Sequence, residues 1–323
     1  MTDITVEQIV ELLGKRTLQV FGDRARKISN AKPLGEDTAD SITYCSAVGG
    51  EALDKIRKSR ASIIICRSGL RPDSDDYSTR TLVTTSDPRL EFARILNKFL
   101  FRTPTPSVHP SSVFHPHAKV DPSAYIGPFC YVGESQIGEG SIIWGHVHIY
   151  DGVRIGKRVV IHAGCVLGAD GFGFVRNEVG ELEKFPQLGG VIIEDDVELQ
   201  ARVHVARGAL GDTRIGTGTK VDSGCHIAHN DNIGRHCVVA AHAMFSGSVT
   251  IGDYCYIGPH TAFRDYVHVG DRAMIGFASV VTKDIPDGAS VMGAPARPVA
   301  EYKRILDSIK QNAGIASESQ DTK

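Results

Sequence analysis

From Ile215 onward an aliphatic or aromatic residue returns every six positions without a miss: Ile215, Val221, Ile227, Ile233, Val239, Phe245, Ile251, Ile257, Phe263, Val269, Ile275, Val281. An earlier series runs Ile137, Ile143, Ile149, Ile155, Ile161, Leu167, preceded by Phe114, Val120, Ile126 and Val132. A short run, Ile193, Leu199, Val205, lies between the two. Neither the helix period of 3.6 nor the strand period of 2 gives such a beat. A short strand followed by a tight corner does, as in a three-sided solenoid whose coils stack on one another. Glycine often follows the anchor (Gly216, Gly234, Gly252), as expected if the corner needs its conformational freedom. The predicted fold is mainly β: a left-handed parallel β-helix with a small N-terminal α/β domain and a short C-terminal helix.

The position four after each anchor also points inward and must be small. Five of the seven cysteines fall there, at Cys130, Cys165, Cys225, Cys237 and Cys255. They read as compact core side chains, neither nucleophiles nor metal ligands. No CxxC pair occurs, which fits a reduced compartment. Asp231 breaks the rule, so its carboxylate must turn inward or distort the corner.

Two interruptions, residues 168–190 and 206–214, are expected as surface loops on a stiff scaffold, where function often resides. Residues 1–106 lack the repeat. There Thr5 and Gln8 form a capping box before Val6, Ile9, Val10 and Leu13, and Gly14 ends that helix. Ala61–Cys66 reads as a buried strand, and Asp87-Pro88 opens a second helix carrying Phe92, Ile95, Leu96 and Phe99. The expected domains are 1–106, a nucleotide-recognition-like α/β domain; 107–289, the β-helix; and 290–323. The last holds an amphipathic helix (Tyr302, Ile305, Leu306, Ile309) and a polar tail from Gln311 expected to be disordered.

A net charge of −2 gives no support to a nucleic-acid or membrane-surface role. The longest apolar stretch, Ala61–Cys66, is far short of the roughly 20 residues of a membrane helix. No basic-then-apolar leader opens the chain, so a cytoplasmic protein is expected.

Candidate chemistry gathers in Cys225-His-Ile-Ala-His-Asn230. His226 and His229 flank the anchor Ile227, so at least one projects outward. Histidine, whose charge changes near neutral pH, suits general-base work. One coil of three hexads above His229 lies Gly247, whose N–H a ligand can approach closely, as an oxyanion hole needs. The insertion GADGFG opens no helix, which excludes a dinucleotide loop; exposed Phe172 and Phe174 suit a cleft wall. His242 and His260 stack one coil apart but lack a nearby carboxylate or thiolate, and no metal site is predicted.

On these motifs the chain resembles the UDP-3-O-acylglucosamine N-acyltransferase family of lipid A synthesis. The likeness rests on Asp87-Pro-Arg-Leu-Glu-Phe-Ala93, GADGFGF, Phe185-Pro-Gln-Leu-Gly189, Arg207-Gly-Ala-Leu210 and Ile227-Ala-His-Asn230. It implies a homotrimer acting on a UDP-linked amino sugar, with the acyl donor on the phosphopantetheine of acyl carrier protein and no bound cofactor. It also implies His229 as the base that deprotonates the sugar 2-amine and Gly247 as the oxyanion donor. Asp222, His226 and Asn230 would lie beside the acceptor.

The chain departs from the family pattern at three places. Tyr266 stands where a second histidine is usual, Gly50 where a nucleotide-stacking tyrosine is usual, and Ala206 where an aspartate precedes Arg-Gly-Ala-Leu. Tyr44 is then the aromatic candidate for the nucleotide. His226-x-x-His229 is closer to the related O-acyltransferases. The alternatives are an acetyl-CoA-dependent (acyl-CoA) sugar acetyltransferase and a catalytically silent paralogue that binds nucleotide sugar.

Overall fold

The computed structural model describes residues 3–313, and the chain divides into two compact units, Met1–Thr103 and Pro104–Lys323. In the first unit a five-stranded sheet runs in the order Gln19–Phe21, Thr81–Thr85, Ile63–Arg67, Ser41–Cys45, Asn30–Ala31. Only the Gln19–Phe21 edge is antiparallel. The helix Val6–Leu13 starts at the expected capping box, with Gly14 (φ 52°) at its end. Pro88–Ile95 forms the other expected helix and continues in a wider turn over Leu96–Leu100.

A third helix, Gly49–Lys58, was not anticipated. It opens on two glycines and buries only Ala52 and Ile56, so its apolar stripe is too thin to read. It also places Gly50 in a helix.

In the second unit the six-residue beat becomes a parallel β-helix. Its eight-stranded first face runs from Lys119–Val120 to His268–Val269 and includes Thr213–Ile215 and Asn232–Ile233. The second face carries Tyr125–Ile126 through Ser290–Met292, and the third carries Val113–Phe114 through Val280–Val281, including His226–Ile227 and Met244–Phe245. Neighbouring coils pair in register, for example Tyr256 with Met274, so residues 18 apart lie above one another. Every anchor from Ile126 to Val281 is buried, and Phe245 stacks on Phe263 with ring centres 4.7 Å apart. The five cysteines at the inward position are buried and free, and burial pushes the Cys165 and Cys225 thiols up to about 11, as expected of inert core side chains.

The corners correct one expectation. Apart from Gly168 (φ 84°), the glycines after the anchors are not the residues with left-handed backbone. They are needed because successive coils approach closely: a Cβ on Gly216 would lie 2.7 Å from the Gly234 carbonyl carbon. Left-handed backbone falls three residues after the anchor, and many of its occupants are not glycine: Asn230 (φ 61°), His236 (φ 53°), His242 (φ 58°), Ser248 (φ 65°) and Tyr266 (φ 61°). Stacking along the coils favours these side chains at an angle that is uncommon for them elsewhere. His242 and His260 belong to this series, with rings 5.1 Å apart and nearly parallel.

The C-terminal helix spans Val299–Asn312, so it includes Gln311, where the disordered tail was expected to begin. The rest of that tail, 314–323, lies outside the described residues. No described helix is long and apolar enough to cross a membrane.

Candidate active site

Both interruptions leave the column at the corner joining the third face to the first. Residues 170–190 depart after the strand Val166–Ala169 and carry a hairpin, Phe174–Arg176 with Leu182–Lys184, before rejoining at Val191. Residues 207–212 occupy the same corner one coil on, between His204–Ala206 and Thr213–Ile215. The next coil places Ala228–Asp231 there. These segments enclose a cleft of about 450 Å³ lined by Phe172, Phe174, Phe185 and Gln187 from the first, Leu210 from the second, and His229 and Asn230, with Tyr266 from two coils above.

His229 is half-buried between two glycines. A Cβ on Gly171 would meet the His229 ring at Cδ2, 2.8 Å away, and one on Gly247 would fall 2.7 Å from Nε2. The Gly247 N–H has no acceptor among the described residues, whereas its carbonyl accepts from Tyr266 N and the His229 carbonyl from Ser248 N. A free amide hydrogen thus sits beside the imidazole, as the stacking of 18-residue coils predicts.

Asn230 fixes the histidine. Its Oδ1 accepts from Ala209 N (2.8 Å), which directs its Nδ2 towards His229 Nδ1 at 3.1 Å. In the neutral ring Nδ1 therefore holds the lone pair and Nε2 the proton.

His226 projects from the outer surface of the third face, its ring stacked on His204 with centres 4.9 Å apart and the two Nδ1 atoms at 3.1 Å. Burial, then the neighbouring imidazoles, hold both groups below the usual histidine range.

Asp222 is exposed at the opposite corner of the third face, its Oδ1 accepting from Ser223 N at 2.6 Å. Of the six side chains singled out in the sequence, His229, Asn230 and Phe172 line the cleft and His226 and Asp222 do not. Tyr44 belongs to the first unit, where its ring packs on Phe92 at 5.0 Å.

Gln187, Leu210 and Gly171 were missed. Gln187 is almost fully buried and its Oε1 has no partner among the described residues. Its only sequence signal is a place in the Phe185-Pro-Gln-Leu run.

Asp231 turns inward, as its place in the beat requires, and is fully buried. Burial pushes its carboxyl up to about 8, against the pull of the Val249 and Ala228 N–H groups. A folded-state value above the unfolded one favours the protonated form, so its stabilisation is complete at acid pH and is lost as pH rises towards 8. Denaturant midpoints of the wild type and Asp231→Asn, at fixed protein concentration, are expected to diverge between pH 5 and 8. The wild type should lose up to about 1.4 kcal/mol per pH unit relative to the variant, with the difference levelling off above pH 8. A gap that does not change with pH would refute the assignment.

Among the described residues one group of three possible metal ligands occurs, His115, His117 and Glu134. The His115 Nδ1 accepts from His117 N (3.2 Å), which places the ring proton on Nε2 and leaves this histidine without a free lone pair. The group lies on other coils from the cleft.

Parallel coils wound on a six-residue beat place the chain in the hexapeptide-repeat class. A family model described as "Bacterial transferase hexapeptide (six repeats)" matches residues 134–169. The UDP-3-O-acylglucosamine N-acyltransferase 1 of Gloeobacter violaceus is 39% identical over 317 residues, covering 90% of this chain and 86% of that protein. That of Pseudomonas fluorescens is 38% identical, with 97% and 92% covered. The chain belongs to the UDP-3-O-acylglucosamine N-acyltransferase family. Among solved structures, a UDP-N-acetylglucosamine acyltransferase of Francisella novicida superposes with a TM-score of 0.55 at 26% identity, covering 64% of this chain and 78% of that one.

Proposed function

We propose that the protein transfers an acyl group from an acyl-carrier-protein thioester to the 2-amine of a UDP-linked, 3-O-acylated glucosamine-type sugar, in the cytosol, as a homotrimer. The observation that carries this reading is the His229 imidazole held beside the unpaired Gly247 N–H in a cleft with aromatic and aliphatic walls. The incoming amine replaces the Asn230 N–H at His229 Nδ1, the lone pair of the neutral ring. Its nitrogen attacks the thioester carbon while its proton passes to Nδ1. The Gly247 N–H steadies the carbonyl oxygen as charge develops on it. The C–S bond then breaks and the imidazolium returns the proton to the departing thiolate. A thioester is already activated, so positioning, deprotonation and charge stabilisation suffice.

Phe172, Phe174 and Leu210 offer apolar contact for an acyl chain, and His226 and Asp222, along the third face, lie where an acceptor sugar can extend. Tyr44 is the aromatic available for the nucleotide in the first unit. The exposed row Val238, Tyr256, Met274, stacked in register on the second face, supports a self-association surface.

Mass spectrometry of products from UDP-amino sugars, offered in parallel with hydroxyacyl carrier proteins and acetyl-CoA, tests the reading. The expected product is an N-acylated sugar from the carrier-protein donor. Product from acetyl-CoA alone would favour the acetyltransferase alternative, and binding without product a silent paralogue.

A further inference from the structure

Along the third face, Gly133, Tyr150, Ser246 and Arg264 each donate the N–H after the anchor to the anchor carbonyl of the next coil. Ala228 does not. Its N–H turns to Asp231 Oδ2 at 2.7 Å, and the ladder between these strands pairs His226 with Met244 only. The other carboxylate oxygen, Oδ1, accepts from Val249 N at 2.8 Å, two residues after Gly247.

The inward position that Asp231 fills is occupied at some other corners by hydroxyls. Thr219 donates to Gly234 O (2.7 Å) and accepts from Cys237 N (3.0 Å), and Ser141 does the same with Gly156 O (2.9 Å) and Val159 N (3.0 Å). A hydroxyl therefore supplies the coil-to-coil acceptor but leaves the N–H of its own corner on the ladder. Only the second carboxylate oxygen draws that N–H away. From below, Thr213 Oγ1 takes Asn230 N at 3.0 Å, so the corner is held on both sides of His229.

We propose that Asp231 is a positioning residue for acyl transfer, its two oxygens tying the corner that bears His229 to the coil that bears Gly247. The proposal rests on the acyltransfer reading above. It explains why a carboxylate stands in a column otherwise filled by small apolar and hydroxyl side chains. Without the tether Ala228 returns to the ladder and the imidazole shifts relative to the amide; a shift of about 1 Å in such an arrangement can cost on the order of 100-fold in rate.

Asp231→Thr tests this, because Thr219 shows that threonine satisfies the coil above. The expected result is a kcat lowered about 10- to 100-fold, with KM for the sugar and the melting temperature unchanged or the latter raised. A crystal structure of the variant, which needs no substrate, should show Ala228 N bonded to the Phe245 carbonyl. A kcat within about twofold of wild type, or a loss matched by the unfolded fraction, overturns the proposal, as does an unmoved corner. Should Asp231→Thr not fold, Asp231→Ser, with the hydroxyl of Ser141 as its precedent, carries the same comparison. A wild type that acylates no amino sugar would defeat the reaction reading, and the variant's structure would still decide the tether.

Discussion

Replacing His229 by alanine is expected to lower kcat by about 10² to 10⁴, the usual worth of a positioned general base, while the protein stays folded and assembled. The ring lies outside the column: the anchors Ile227 and Ile233 on either side are buried independently of it. Steady-state kinetics on the amino sugar, with circular dichroism and sedimentation as controls, give the answer. KM for the sugar should change little, because the imidazole acts as the proton moves. Turnover near that of the wild type would remove His229 from the mechanism.

The second large effect is expected from Gly247→Ala, with a loss of about 10² to 10³ in kcat. Its backbone is not in the left-handed region, so the new methyl group meets no conformational strain. What it meets is the His229 ring, at Cε1, Nε2 and Nδ1. The imidazole is the far end of a movable side chain and swings aside, so the column survives and the two groups of the proposed mechanism part. An unchanged melting temperature with lost turnover is the expected pair of observations. Equal losses in both would assign Gly247 to packing instead.

The column was legible because burial repeats. Each anchor and each small side chain four places later answers to the same interior, so sixfold arithmetic located Gly247 above His229 and marked Asp231 as anomalous. The same arithmetic, carried through both interruptions, brings them to the corner of His229. What stayed hidden depends on atoms instead of pattern. Gly171 against His229, the solitary oxygen of Gln187 and the detour of the Ala228 N–H follow from loop paths that have no period. The corner glycines were misread for a related reason: the sequence marks where glycine stands but not whether torsion or proximity demands it. In the first unit, Gly49–Lys58 buries two side chains, too few to leave a periodic trace.

Two successive storeys open at one edge, and each insertion there leaves and rejoins the stack without altering the pairing on the other two sides. Evolution can therefore lengthen, shorten or recolour that edge while the masonry behind it is inherited intact. Selectivity for a new acyl chain or sugar can arise within about forty contiguous positions, with no need to redesign the rest of the molecule.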